Sequence, residues 1–549
     1  MVEKYILLLI VTFHPPLKNY YFITSSFGEY RTTHLHLGID FSTNGKIGIP
    51  VYACEDGEIY RIKVSSKGYG KALFLRSNKY IYVYAHLDKF RKDIENFVFK
   101  EQLKRKKVEL DLFPPKKFKV KEGEIIGYVG ETGAGGPHLH FEIRNLCNQA
   151  LSLPHKILNY RDLNKPVIKG FLIQIDSFNS TIDSFFFDKI ISPGETVEVW
   201  GNIKISMLAY DREKKTTGIS GFEVYLNDKK IKHFFFNKIS INNGDFKKNN
   251  RIYLTKTNSF ARSFIKIGNF RFKENLNKIL TIKAIVFDYK GKSDTGKIFI
   301  KIRKNKLKFK ENYWDLKIKE LFIKFFNFGI LIGTENQTVA SVLRFNKIMN
   351  GYAIWLNPKN SLKIYEKDIY ILETNKKNKI KFENWEISIE KADTTSDKKI
   401  YVVKLDKNKI AIYPKNIDWN GKLKINYITQ NPKILIKELN SKKIDKSNSF
   451  YTTKGGIFFV FEDAKKPKIY LLKKNKKEFL FKIKDNSLVK VENIKVFIDG
   501  KWYPFYYDQD SGKLKIELKG RWKNFKKIEI IIQDIAGNFK RYLYHSPVK

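Results

Sequence analysis

From about residue 150 to the C-terminus, helical periodicity is almost absent. Short runs rich in Ile, Val, Phe and Tyr alternate with turns of Asn, Asp, Lys and Gly. Such a pattern buries one face of each strand, so this part reads as stacked β-sandwich modules. An internal echo divides it. Asp162-Leu-Asn-Lys-Pro166-Val-Ile168 matches Asp463-Ala-Lys-Lys-Pro467-Lys-Ile469. VYLND at 224–228 matches VFIDG at 496–500, and IKAIVFDYKGK at 282–292 matches IEIIIQDIAGN at 528–538. Two related Ig-like sandwiches are therefore expected, at 166–305 and 466–549. A further β-rich region of one or two modules lies between them at 306–465. Each copy closes on D-x-x-G, a turn signal. One Asp is not a ligand set for calcium, so the motif is read as structural.

The N-terminal part is different. Residues 50–87 alternate as strands do, turning at Asp56-Gly57 and around Ser77-Asn78. In 88–107, Phe90, Ile94, Phe97 and Val98 fall on one helical face. Lys104 to Lys107 sit at that helix's C-terminal end, where cations are favoured. Strand pattern returns at 118–130. The expected fold is mainly β: an antiparallel β domain over 17–165 with a helical insertion at 88–119, then the Ig-like modules. Residues 1–16, MVEKYILLLIVTFHPP, carry an apolar run too short to span a membrane but suited to the core of an export signal. The protein is therefore expected to be exported, to the periplasm or cell envelope.

Composition removes several classes. No run of about 20 apolar residues is present, which excludes an ordinary transmembrane helix. Two cysteines in 549 residues exclude a disulfide scaffold. Cys54 and Cys147 read as two buried thiols, with pairing left open. The formal charge of +47 suggests nucleic acid. However, Arg, the usual bidentate base reader, supplies only 15 of the 104 basic residues. Residues 1–150 carry a net +7 and the β modules +40. The charge thus reads as compositional bias plus general attraction to an anionic envelope surface, with no specific nucleic-acid partner.

Histidine is concentrated where charge is not. Five of the nine lie between His34 and His140, and four of these fall in three short segments: His36-Leu-Gly-Ile-Asp40, Tyr84-Ala-His86-Leu87 and Gly136-Pro-His138-Leu-His140-Phe-Glu142. Strand alternation puts His138 and His140 on one face and Leu139 and Phe141 on the other. By the same rule Tyr80, Tyr82, Tyr84 and His86 are expected to share a face. His36 and Asp40 would lie about 13 Å apart on a straight strand. Gly38 between them allows a bend that brings them together. Two imidazoles and a carboxylate suit zinc or another divalent ion that binds imidazole, with a position left for water. His138 and His140 are about 6.6 Å apart on a strand, so one ligates and the other stands beside the water. The ligands are then His36, Asp40 and His140. His86 and His138 become proton-transfer and oxyanion groups. His34 is expected to line the same face without ligating.

These residues resemble the lysostaphin/LytM-type zinc metalloendopeptidases, which cut peptide bonds in peptidoglycan. The family pattern is H-x-x-x-D, a lone His after an aromatic-rich strand, then H-x-H. Here these are His36/Asp40, His86 and His138/His140. FGEYR at 27–31, IPVYACEDGEI and VKEGEIIGYVGETG agree with it, and the resemblance covers about residues 22–150. It implies one Zn2+ per chain on His36, Asp40 and His140, zinc-bound water as nucleophile, and catalytic roles for His86 and His138. It also implies an antiparallel β fold grooved across its sheet, and peptidoglycan peptides as substrate. Tyr30 and Arg31 stand where some members carry a substrate or transition-state group. The insertion resembles that of larger multi-domain bacterial members. The alternative is a wall-binding scaffold that activates another hydrolase. Degenerate relatives of that kind lack metal ligands, and all five positions are intact here.

Overall fold

The computed structural model describes residues 13–546 except 19–21, 32–33, 159, 161, 176–179, 184–188, 213–214, 242–252, 256–263, 275–276, 305–320, 327–328, 335–338, 345–351, 358–359, 365–368, 374, 392–398, 417–421, 439–446, 453, 476 and 510. Most of the predicted export segment, 1–12, lies outside the described residues. Among those described, no helix is long and apolar enough to cross a membrane.

The chain is mainly β. The N-terminal domain is built from β1 (Ile23–Ser25), β2 (Ile39–Ser42), β3 (Pro50–Tyr52), β4 (Gly57–Val64), β5 (Lys71–Arg76), β6 (Tyr80–Phe90), α1 (Lys92–Arg105), β7 (Leu110–Leu112), β8 (Phe118–Val120), β9 (Ile125–Val129), β10 (His138–Asn145) and β11 (Gln149–Leu151). Its sheet runs β1-β2-β10-β6-β5-β4-β7, and every pairing within the domain is antiparallel. Leu139, Phe141 and Ile143 of β10 pack with Ile39, Phe41, Tyr82 and Tyr84 in the main core. That packing turns His138, His140 and Glu142 to the opposite face.

Helix α1 is the predicted insertion. Ile94 and Val98 are buried as the pattern requires, and Lys104 and Arg105 occupy the last turn. Cys54 is buried but Cys147 is exposed, and both are free. The expectation of two buried thiols is therefore corrected: Cys147 lies in the turn between β10 and β11, outside the core.

The modules that follow are β-sheets, and the sequence echo is preserved in their register. Val224 pairs with Ala284 in the first copy, and Val496 pairs with Ile530 in the second. Both pairs occupy equivalent places in the matched motifs. The N-terminal sheet does not end with its own strands. β11 pairs with the strand Lys238–Ser240, which comes from the following module.

Candidate metal centre and active site

β2 and β10 lie side by side, with Asp40 opposite His140. His36 precedes β2 and is brought back by a bend at Gly38. A close approach requires the glycine there, since a Cβ would stand 2.2 Å from the Phe141 carbonyl oxygen. Gly38→Ala is expected to lower stability by about 2–3 kcal/mol, read from the denaturant midpoint, because β2 cannot approach β10 without clashing.

Three side-chain atoms converge there. His36 Nε2 is 3.1 Å from Asp40 Oδ1 and 2.9 Å from His140 Nδ1, and His140 Nδ1 is 2.9 Å from Asp40 Oδ1. All three residues are buried. The proton positions follow from the other ring atoms. His36 Nδ1 lies 2.8 Å from the Ser26 carbonyl oxygen, which can only accept, so Nδ1 carries the proton and Nε2 keeps its lone pair. His140 Nε2 faces Glu142 Oε1 at 2.8 Å, which likewise leaves Nδ1 as the atom aimed at the centre. Two imidazole nitrogens and a carboxylate oxygen thus meet at one point. A tetrahedral ion with ligand bonds of about 2.0–2.1 Å has edges of about 3.3 Å, close to the spacing found. The donor set fits zinc.

His86 and His138 stand at the rim of this cluster. Their ring centroids are 4.6 Å apart, and His86 is 5.8 Å from the His140 ring. His86 Nδ1 is 2.8 Å from the Thr132 carbonyl oxygen, and His138 Nδ1 is 2.8 Å from that of Gly136. Each therefore keeps Nε2 as the basic atom. His138 Nε2 is 3.7 Å from Asp40 Oδ1.

One expectation is overturned. His86 does not share a face with the tyrosines. Tyr82 and Tyr84 pack against Phe141, in the core on the far side of the sheet. His86 reaches the histidine face because β6 is irregular there: its φ is +62°, and two steps along β5 face three along β6. Such a bulge re-aims one side chain, and left-handed backbone at a non-glycine residue is uncommon.

The remaining candidates separate. Arg31 Nη2 lies 3.6 Å from Asp40 Oδ2 and hydrogen-bonds Ser25 Oγ at 2.6 Å. Tyr30 is buried in the hydrophobic cluster shared with the next module. His34 is exposed at the rim, its carbonyl accepting the Arg31 amide.

Sequence reasoning missed the groups behind His140. Glu142 Oε2 accepts from Arg144 Nε at 2.6 Å, Glu142 Oε1 accepts from Tyr69 Oη at 2.6 Å, and Arg144 Nη2 donates to Tyr69 Oη at 2.9 Å. Glu142 and Arg144 are buried. Their signal was available, since both continue the two-residue alternation of His138 and His140 along β10.

The charges are strongly coupled. Burial opposes ionisation of Asp40, yet the imidazoles of His36, His138 and His140 hold its carboxyl well below the usual range. Burial disfavours a charged His140, but hydrogen bonds to Asp40 and Glu142 outweigh it and raise its pKa to about 9. Burial, then the neighbouring imidazoles, lowers His86 to about 3. His140 therefore holds a proton near neutrality that a metal must displace. Zinc affinity is expected to rise about tenfold per pH unit from about pH 6 and to level off above about pH 9. Competition with a chromogenic chelator measures this, and a flat profile contradicts it.

The N-terminal part of the chain is similar to known proteins. Residues 34–103 match the model of "Peptidase family M23". The DD-carboxypeptidase/endopeptidases Mpg of Neisseria meningitidis and Neisseria gonorrhoeae are 37% identical over 130 residues. That alignment covers 22% of this chain and 24% of theirs, so the chain matches about a quarter of the length of these relatives. Among solved structures, Helicobacter pylori Csd3 is 30% identical, with 24% of this chain and 30% of that chain covered and a TM-score of 0.18. LytU is 31% identical, with 22% and 72% covered and a TM-score of 0.17. The N-terminal domain belongs to the lysostaphin/LytM-type peptidases, family M23.

Proposed function

We propose that the chain is an exported zinc metalloendopeptidase that hydrolyses peptide cross-links or bridges of bacterial peptidoglycan. The observation that carries this reading is the meeting of His36 Nε2, Asp40 Oδ1 and His140 Nδ1 beside two further imidazoles. His36, Asp40 and His140 would hold one zinc ion. When bound there, zinc supplies Lewis-acid activation of water and of the scissile carbonyl near neutral pH.

The other residues supply proton transfer and orientation. His86, held through Nδ1 by the Thr132 carbonyl, presents Nε2 as the acceptor for a proton from the attacking water. His138, whose ring lies 4.6 Å from that of His86, would take over that proton at Nε2 and, as an imidazolium, stabilise the developing oxyanion and pass the proton to the leaving amine. Glu142 fixes the ring of His140, and the carbonyls of Ser26 and Thr132 fix those of His36 and His86. Arg31 neighbours the second Asp40 oxygen and is a candidate substrate contact, and Tyr30, the other candidate, is buried in the cluster shared with the next module.

The proposed organisation is an export segment at 1–16, the peptidase domain at 17–165 and β modules at 166–305, 306–465 and 466–549. The modules carry the excess positive charge and would hold the enzyme to an anionic envelope. The relatives named DD-carboxypeptidase/endopeptidase support a bond between D-amino acids, such as the D-Ala–diaminopimelate cross-link. Incubation with purified sacculi tests the reading: soluble muropeptides released only with the zinc-loaded chain support it, and no release contradicts it.

A further inference from the structure

The two related modules bring the same acidic positions together but neutralise them differently. Each has an Asp before its first strand, Asp162 or Asp463, and an Asp in its closing turn, Asp288 or Asp534. The turns match bond for bond. Asp288 Oδ1 accepts the amides of Lys290 and Lys292 at 2.8 and 2.9 Å. Asp534 Oδ1 accepts those of Ala536 and Asn538 at 2.9 and 2.8 Å.

What faces the acids differs. In the first module the Lys292 ammonium hydrogen-bonds the Asp162 carbonyl at 3.0 Å and lies 3.3 Å from Asp162 Oδ2. In the second, Asn538 occupies the lysine's place. Its Nδ2 reaches the corresponding Asp463 carbonyl at 2.9 Å but brings no charge. A third carboxylate, Asp485, joins there at the end of the strand Glu478–Lys484. One ligand atom from each of Asp463, Asp485 and Asp534 lies within 4.8 Å of the others. Asp463 is fully buried, and its Oδ2 has no hydrogen-bond partner; both carboxylate oxygens of Asp162 and Oδ2 of Asp288 lack one too, but there the Lys292 ammonium stands 3.3 Å from Asp162 Oδ2. The Oδ1 of the adjoining Asn486 is a second buried acceptor without a partner, while its Nδ2 donates to Asp463 Oδ1 at 3.0 Å. A buried carboxylate oxygen with no donor is costly unless a cation meets it.

We propose that Asp463, Asp485 and Asp534, with Asn486, bind a calcium ion that does in the last module what Lys292 does in the first. The donors are all oxygen, which selects a hard cation over zinc. With metal–oxygen bonds of about 2.4 Å, ligand oxygens stand up to about 4.8 Å apart, and the three carboxylates meet within that distance. The site sits where the preceding module meets the last one: Leu435 and Phe461 pack there on Ile535 and Ala536. Calcium would lock that junction. The last module in turn holds the peptidase domain, through Tyr506 Oη on the Gly133 amide at 2.6 Å and Lys513 on Glu131 at 2.6 Å.

The test uses the full chain, freed of metal on chelating resin and reloaded with one equivalent of zinc. Calorimetric titration is expected to find one calcium per chain in addition to zinc, with affinity at or tighter than about 1 mM. Saturating calcium should raise Tm by about 5 °C or more. Asp485→Asn should abolish that response with the zinc content unchanged. Asn538→Lys should install the first module's solution, giving a folded protein whose Tm no longer responds to calcium. No binding by the unmodified chain, an undiminished response in Asn538→Lys, or an equal response to magnesium overturns the calcium assignment.

Discussion

Replacing His140 with alanine is expected to remove metal and activity together. His140 Nδ1 lies 2.9 Å from both the His36 and Asp40 ligand atoms, so its loss opens one corner of the three-atom cluster. Two donors remain, too few to hold zinc against buffer. Several kcal/mol of charge stabilisation leaves with the ion, so hydrolysis should fall at least about 10³-fold. Elemental analysis of the purified variant and muropeptide release measure the two losses. A variant that keeps stoichiometric zinc contradicts the ligand assignment.

His86→Ala is expected to separate the two properties. His86 is anchored by the Thr132 carbonyl and points at the cluster without closing it. Zinc content should stay at one per chain. Activity should fall about 10²–10⁴-fold, the usual loss when a positioned acid–base group is removed. Loss of zinc in this variant would move His86 among the ligands and leave the proton-transfer role to His138 alone.

Much of this was legible in the sequence, for definite reasons. Alternation assigned Leu139 and Phe141 to the core and His138 and His140 to the opposite face, because β10 is a regular strand. The meeting of His36 and Asp40 was legible through Gly38, although the demand proved to be backbone approach to Phe141. His86 was misplaced because a bulge breaks the two-residue rule, and neither Ala85 nor Leu87 announces one. Glu142 and Arg144 were overlooked although they obey the rule. The acidic cluster was also out of reach. Its members are far apart in sequence, and only the folded module brings Asp463 and Asp485 to the closing turn. The contacts of the last module with the loop that orients His86 depend on tertiary docking, which no local pattern encodes.

The activity proposed for this arrangement is hydrolysis of a peptide bond in the cell wall. Mass spectrometry of products from a defined cross-linked muropeptide dimer tests it most directly. Two monomers, together heavier than the dimer by one water, are expected from the zinc-loaded chain and none after chelation. An unchanged dimer, or cleavage within the glycan with the cross-link intact, would contradict it.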